Sequence, residues 1–223
     1  MFILTALTAV VIGLSLWILA RVIRNMAPNE KRINADLEAM KREVEPFVSE
    51  LVPIGKEELE LFSMSQVNQL LKKGVSTTAR GVFTTIYNEP VVAYSYKKYP
   101  TRKNIAVLYA RTAHHEMAYF MKGGEIKLII DDQVVGKVKE DGILYGARSN
   151  RLLAQVNKDL PDFLPVIVKD KEVGSLVKAT PTEKNELSQR AFEFVKSDLT
   201  KEEEAVFLSL AVLELVQRTV GEK

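Results

Sequence analysis

The sequence contains no cysteine among its 223 residues and has only two histidines. The lack of cysteine excludes disulfides, thiolate zinc sites, thiol nucleophiles and cysteine-ligated clusters. No serine lies in a Gly-x-Ser-x-Gly context, and no glycine-rich phosphate-binding loop is present. We therefore predict a non-enzymatic protein without a cofactor or a metal.

The sequence has no large excess of charge of either sign, because it contains 31 basic and 29 acidic residues and has a net charge of +2. A chain with this balance is not expected to bind nucleic acid through its bulk charge. The length accommodates one sizeable domain and an appendage.

A long apolar run opens the chain. Residues 2–20 carry no charge and would span about 28 Å as a helix, which matches the hydrocarbon core of a bilayer. Trp17 falls near the end of the run, where an interfacial indole is favourable. The basic residues nearest to the run all follow it: Arg21, Arg24, Lys31 and Arg32. This pattern predicts a signal anchor over residues 1–24 in the cell (inner) membrane, with the N-terminus outside and the C-terminal domain cytoplasmic.

A cleaved signal peptide is the alternative for this run. The run is long for such a peptide, no lysine or arginine precedes it, and no small-x-small cleavage site follows it. The sequence therefore favours an uncleaved anchor.

Residues 25–52 are predicted to form a juxtamembrane helical stalk. A helix is expected from Asn29 to Glu45, and Pro46 is expected to end it. Its apolar residues are spaced by four and three in turn, which is a heptad stripe: Ile33, Leu37, Met40, Val44 and Phe47. Two alternatives stay open, because this stripe could contact a partner helix or a second copy, or lie on the surface of the protein's own domain.

Residues 53–223 have the pattern of a β-rich domain. Leu59–Met64 is a candidate first strand, and Gln66–Lys72 is predicted to be a short helix that ends at Gly74. From Val75 onward, short strands alternate with turn residues at intervals of about eight to twelve residues. About a dozen such strands indicate an antiparallel barrel or sandwich, and barrel closure would remove exposed edges.

Two of the predicted hairpins contain a Val-Gly pair in their second strand, at Gly136 and at Gly174. A glycine within a strand often marks a bend or a close approach of the backbone. We expect these hairpins to curl around a central element.

That central element is predicted at residues 200–219. Thr200 and Glu203 have the spacing of a capping box, and ten of the twelve residues from Ala205 to Val216 are apolar. A helix that is apolar on every side is expected to be buried all round, and about 18 Å is too short to cross a bilayer. The sequence thus predicts a mainly β fold, a closed barrel of about twelve strands around its own C-terminal helix.

The two hairpins, a late strand (RAFEFVKSDL) and the helix EEEAVFLSLAVLEL resemble the tubby C-terminal-like superfamily, which includes phospholipid scramblases and LURP-one-related proteins. The resemblance covers mainly residues 118–217. It implies a closed barrel threaded by a hydrophobic helix, and a role at lipid or membrane surfaces. Scramblases have a cysteine-rich segment and a C-terminal membrane helix, whereas this chain has no cysteine and its apolar run is N-terminal. No residue role is transferred.

Basic residues are the best candidates for binding. A tyrosine-containing run and a second, smaller cluster would suit anionic lipid headgroups: Lys97, Lys98, Arg102, Lys103, Arg148 and Arg151. The alternative is that these residues lie in solvated loops and only keep the protein soluble. The expected partners are membrane lipids and either other membrane-protein subunits or a second copy bound through the stalk, with no nucleic acid.

The preferred hypothesis is therefore an accessory or scaffold subunit of a membrane complex. One alternative is scramblase-like lipid transport, which the resemblance suggests. The other is a hydrolytic or metal-dependent enzyme that uses His114 and Glu116, since both would lie on one face of a strand.

Overall fold

A computed structural model describes residues 10–18, 20, 28–56, 58–139, 141–178 and 190–221. Most of the predicted signal anchor lies outside these residues, and its described part, residues 10–18 and 20, is helical. No helix within the described ranges is long and apolar enough to cross a membrane.

From residue 28 onward, the described chain contains twelve strands and two long helices. In order, they are α1 (Glu30–Val48), a 3-10 turn (Leu59–Leu61), β1 (Phe62–Lys73), β2 (Thr77–Thr85), β3 (Pro90–Lys98), β4 (Ala106–Arg111), β5 (Glu116–Lys122), β6 (Glu125–Ile130), β7 (Gln133–Val138), β8 (Ile143–Gly146), β9 (Leu152–Val156), β10 (Phe163–Val168), β11 (Lys171–Val177), β12 (Phe192–Val195) and α2 (Lys201–Val220). Each strand pairs antiparallel with the next one along the chain.

The sheet curls until its first and last strands meet. Ser63 of β1 bridges Arg190, and the Ala191 N–H donates to the Phe62 carbonyl at 2.8 Å. The result is a nearly closed antiparallel barrel, so the predicted mainly β fold with a barrel and a C-terminal helix is confirmed.

Helix α2 lies in the barrel interior. Phe207, Leu208, Leu210, Ala211 and Leu213 are all buried, although they point in different directions around the helix. The capping box between Thr200 and Glu203 is formed, and Gly221 ends the helix in the left-handed conformation at φ 77°. The buried Tyr119 hydroxyl of β5 donates to the Ser209 carbonyl at 2.7 Å, which ties the wall to the helix.

The two Val-Gly glycines lie where the backbone approaches another group closely. A Cβ at Gly174 would be 2.8 Å from the Phe207 ring, so β11 can approach α2 only with glycine there. A Cβ at Gly136 would be 2.0 Å from the Tyr145 carbonyl oxygen. At Gly136, therefore, the close neighbour is strand β8 and not the helix.

The predicted helix at the start of the barrel is wrong. Gln66–Lys72 is not a helix but the second half of β1, and Leu59–Leu61 forms a 3-10 turn before that strand. The segment has good helix formers, but pairing with β2 from Gln66 to Lys73 overrides this local preference. Gly74 therefore lies in a hairpin turn instead of ending a helix.

Helix α1 packs on the outer face of β3 and β4. Met40 and Val44 are buried against an outer cluster that includes Val82, Val107 and Tyr109. The other residues of the heptad stripe pack on the same cluster: Ile33, Leu37 and Phe47. The stripe thus packs on the protein's own domain. The helix also continues through Pro46 to Val48, because a proline in the last turn removes few helical hydrogen bonds.

The antiparallel order gives the barrel two distinct ends. The turns β1–β2, β3–β4 and β5–β6 share one end, which we call the proximal end, and the turns between them share the distal end. Helix α1 begins at the proximal end, since Asp36 contacts Lys97 and Tyr99 at the end of β3. It leads to the distal end, where the Val52 N–H donates to the Pro90 carbonyl at 2.8 Å.

Candidate functional site

Three neighbouring turns of the proximal end form a basic surface, which we call the basic rim. It consists of Lys72, Lys73, Lys98, Arg102, Lys103 and Lys122. The turns are contiguous, because Thr77 pairs with both Lys73 and Lys98 across β1, β2 and β3. The Gly123 N–H also donates to the Lys103 carbonyl at 2.9 Å and joins the β3–β4 and β5–β6 turns.

The three turns of the basic rim contain little acidic charge. Residues 72–78, 97–105 and 122–125 contain one acidic side chain, Glu125. Its carboxylate accepts from Lys137 at 2.9 Å, and this hydrogen bond lowers the pKa of Glu125. Lys98 is half-buried and the other five rim side chains are exposed. The rim therefore exposes several positive charges at the proximal end of the barrel.

Lys97, the first residue of the predicted lipid-binding run, forms an ion pair within the protein. Its ammonium lies 2.8 Å from the Asp36 carboxylate, which also accepts from the Tyr99 hydroxyl at 2.6 Å. Burial raises the pKa of Asp36, but the hydrogen bonds from Lys97 and Tyr99 outweigh burial and leave this pKa below its usual value. Burial and the Asp36 carboxylate raise the pKa of Tyr99. Lys97 thus fastens α1 to the barrel.

Arg148 and Arg151 lie at the other end of the molecule. They flank the β8–β9 turn, which is distal, and both side chains are exposed. The structure therefore brings Arg102 and Lys103 together with the other rim residues but separates them from this second cluster. One flat membrane surface could not contact both clusters at once.

The two residues of the enzyme alternative do not share a strand face. His114 is exposed in the β4–β5 turn, and Glu116 is the first residue of β5. The turn is held by Thr112, whose hydroxyl oxygen accepts from the His115 N–H at 2.8 Å. Glu116 forms ion pairs with Arg111 and, at 3.8 Å, with Lys41. The described residues contain no group of three or more histidines or acidic side chains placed to hold a metal ion.

A groove of about 320 Å³ runs beside α1, over the outer faces of β1, β2 and β3. Leu70, Lys72 and Arg80 line its open side. On the helix side, the Glu43 carboxylate accepts from the Ser95 hydroxyl at 2.9 Å. The groove reaches the basic rim through Lys72.

Sequence reasoning missed three of the six rim residues: Lys72, Lys73 and Lys122. Lys72 belongs to the segment predicted as a helix, Lys73 directly follows that segment, and Lys122 belongs to a Lys-Gly-Gly turn far away in sequence. The missing signal was topological. In an antiparallel sheet that follows chain order, every second turn lies at the same end, so the order of the strands along the chain is enough to group these turns.

Comparison with protein-family models, with curated proteins and with solved structures finds no match for this chain.

Proposed function

We propose that this protein is a single-pass, membrane-anchored and non-enzymatic module, an accessory or scaffold subunit of a membrane complex, whose basic rim contacts anionic lipid headgroups. One observation carries the proposal: helix α1 begins at the same end of the barrel that bears the basic rim. The N-terminal anchor and the rim would then approach the membrane from one side.

The energetics support such a contact. Each lysine or arginine near an anionic leaflet contributes about 1 kcal/mol of attraction, which falls off within a Debye length of about 8 Å. The described part of the anchor exposes large apolar side chains, among them Val10, Leu14 and Trp17, as a lipid-facing helix would. The proposed anchor ends a few residues before α1 in the sequence, so it would keep the rim near the headgroups and let weak individual attractions add up.

We further propose that the barrel belongs with the tubby-like folds. The support is architectural, since an antiparallel barrel of twelve strands encloses a hydrophobic C-terminal helix in both. The alternative of hydrolysis has no comparable support, because His114 and Glu116 do not form a common site.

Neutralising the rim tests the lipid contact. The full chain is reconstituted in nanodiscs of neutral lipid, with or without anionic lipid, and amide exchange is followed in residues 98–104. We expect anionic lipid to slow this exchange. The variant Arg102→Gln/Lys103→Gln should lower the ratio of bound to free rim about thirty-fold, since it removes about 2 kcal/mol.

Arg148→Gln/Arg151→Gln is the matched control, because it removes the same charge from the distal end. It should leave the protection of residues 98–104 unchanged. Equal loss of protection in both variants, or protection that does not depend on anionic lipid, would contradict the proposed role of the rim.

A further inference from the structure

Strand β1 opens the sheet, so β2 pairs with only one of its two edges. On the other edge, the backbone pairing formed by described residues is confined to the start of β1. It consists of the Ser63–Arg190 bridge and the hydrogen bond from the Ala191 N–H to the Phe62 carbonyl. From Met64 to Lys73, no strand of the described chain pairs with this edge. We call this segment the open edge.

The middle of the open edge carries three exposed apolar side chains among polar ones. Val67 is 41% exposed, Leu70 39% and Leu71 37%. Val67 and Leu70 share the outer face with Val82 and Arg80 of β2, and Leu71 lies on the opposite face, across from Ala79. Long apolar edges are templates for pairing, and proteins usually shorten or cover them. This edge has no proline, but its pairing with β2 is interrupted by register shifts between Phe62 and Gln66 and between Val67 and Leu70.

Positive charge lies at both ends of the open edge. Lys72 and Lys73 end it at the proximal side, and Arg190 bridges Ser63 at its start. β1 contains no acidic residue. An occupant that pairs with the whole edge would therefore meet apolar side chains in the middle and cations at either end.

We infer that the open edge is a docking site for an extended peptide segment of a partner protein that is apolar in its middle and acidic at its ends. The segment would add a strand to the sheet. Its backbone would pair with Met64–Lys73, its apolar side chains would cover Val67 and Leu70, and its carboxylates would contact Lys72 and Lys73.

A second copy of this chain fits the open edge less well. Two β1 edges paired antiparallel would point their proximal ends in opposite directions, which prevents both basic rims from facing one membrane. Two edges paired in parallel would place Lys72 and Lys73 beside their own copies, and like charges directly opposite each other are destabilising. This preference rests on the proposed function, because it assumes that both chains are anchored in one bilayer.

The test uses two labelled peptides of about ten residues, the length of the open edge. In one, glutamates flank a central run of valines, and in the other, lysines flank the same run. Fluorescence anisotropy measures their binding to the full chain in a neutral detergent. We expect only the glutamate peptide to bind, and Lys72→Glu/Lys73→Glu to weaken its affinity at least tenfold. Arg148→Glu/Arg151→Glu makes the same charge change at the distal end and should leave the affinity unchanged.

Amide exchange gives a second measurement that does not depend on a variant. The glutamate peptide should slow the exchange of residues 64–73 and leave the β9–β10 turn unaffected. Equal binding of both peptides, no binding, or protection outside β1 would overturn the inference. Protection of β1 without peptide that increases with protein concentration would show a second copy on the edge, and would overturn it too. Since no anionic lipid is present, failure here is distinguishable from failure of the lipid contact at the rim.

Discussion

Asp36 shows how a single side chain can link a helix to the barrel wall. Its carboxylate accepts hydrogen bonds from Lys97 and from Tyr99, and both Asp36 and Lys97 are mostly shielded from water. A charge-assisted pair in such a setting contributes more than an exposed ion pair would. Asp36 thereby holds the first turns of α1 against the proximal end, next to the basic rim.

We expect Asp36→Asn to destabilise the protein by about 1–2 kcal/mol at pH 7. The carboxylate has a lowered pKa in the folded protein, so its contribution is present above pH 4 and is lost as the pH falls through the folded pKa. The difference between the variant and the wild type should therefore shrink below pH 4. Urea unfolding at pH 7 and pH 3, followed by near-UV circular dichroism, measures it.

Asp170→Asn is the control for this comparison, because Asp170 is exposed in the β10–β11 turn and its positive φ of 65° is one that asparagine also adopts readily. A pH-independent effect of Asp36→Asn, or an equal effect of Asp170→Asn, would contradict the assigned role of Asp36.

At the scale of elements, contact between α2 and the barrel wall is the main determinant of the fold. The Phe207 ring is buried, lies 4.9 Å from the Phe192 ring and occupies the space that a side chain at Gly174 would need. Strand β11 and helix α2 are thus matched in shape at this point.

A double-mutant cycle tests that match. Gly174→Ala should destabilise the protein by about 1–3 kcal/mol through overpacking, and Phe207→Ala by about 3–5 kcal/mol through the cavity it leaves. In the double variant, the added methyl group occupies the space left by the Phe207 ring. The loss of stability in the double variant should therefore be smaller than the sum of the losses in the two single variants. Thermal unfolding of all four proteins measures the coupling.

Gly55→Ala supplies the reference, because a Cβ there would meet no atom closer than 3.8 Å. It should change stability little. If the stability losses of Gly174→Ala and Phe207→Ala were additive, the Phe207 ring and strand β11 would not be in the close contact described here.

The central helix could be predicted from the sequence, since a capping box followed by residues that are apolar on every side has few alternatives. The turns between strands could also be predicted, because Asp131, Asp132 and Gly142 adopt the positive φ that such residues favour. The second half of β1 could not, because Gln66–Lys72 favours a helix locally and only pairing with β2 makes it a strand. The position of the α1 stripe also stayed open, since a heptad pattern does not specify what it packs against.

At the scale of the whole molecule, the difference between the two barrel ends matters most. The basic rim and the start of α1 lie at the proximal end, whereas Arg148 and Arg151 lie at the distal end. A barrel strand of nine residues such as β3 spans about 30 Å, so the two ends cannot be equally close to one surface. A membrane contact at the proximal end therefore predicts a fixed orientation of the barrel.

Labelling at single cysteines measures this orientation directly, because the native chain contains none. The variants Pro100→Cys, at the proximal end, and Ser149→Cys, at the distal end, each carry one fluorophore in full-length protein reconstituted in anionic vesicles. A quencher attached to lipid headgroups should strongly quench the label at position 100 and hardly affect the label at position 149. Equal quenching of the two labels, or stronger quenching at position 149, would contradict a basic rim that faces the membrane.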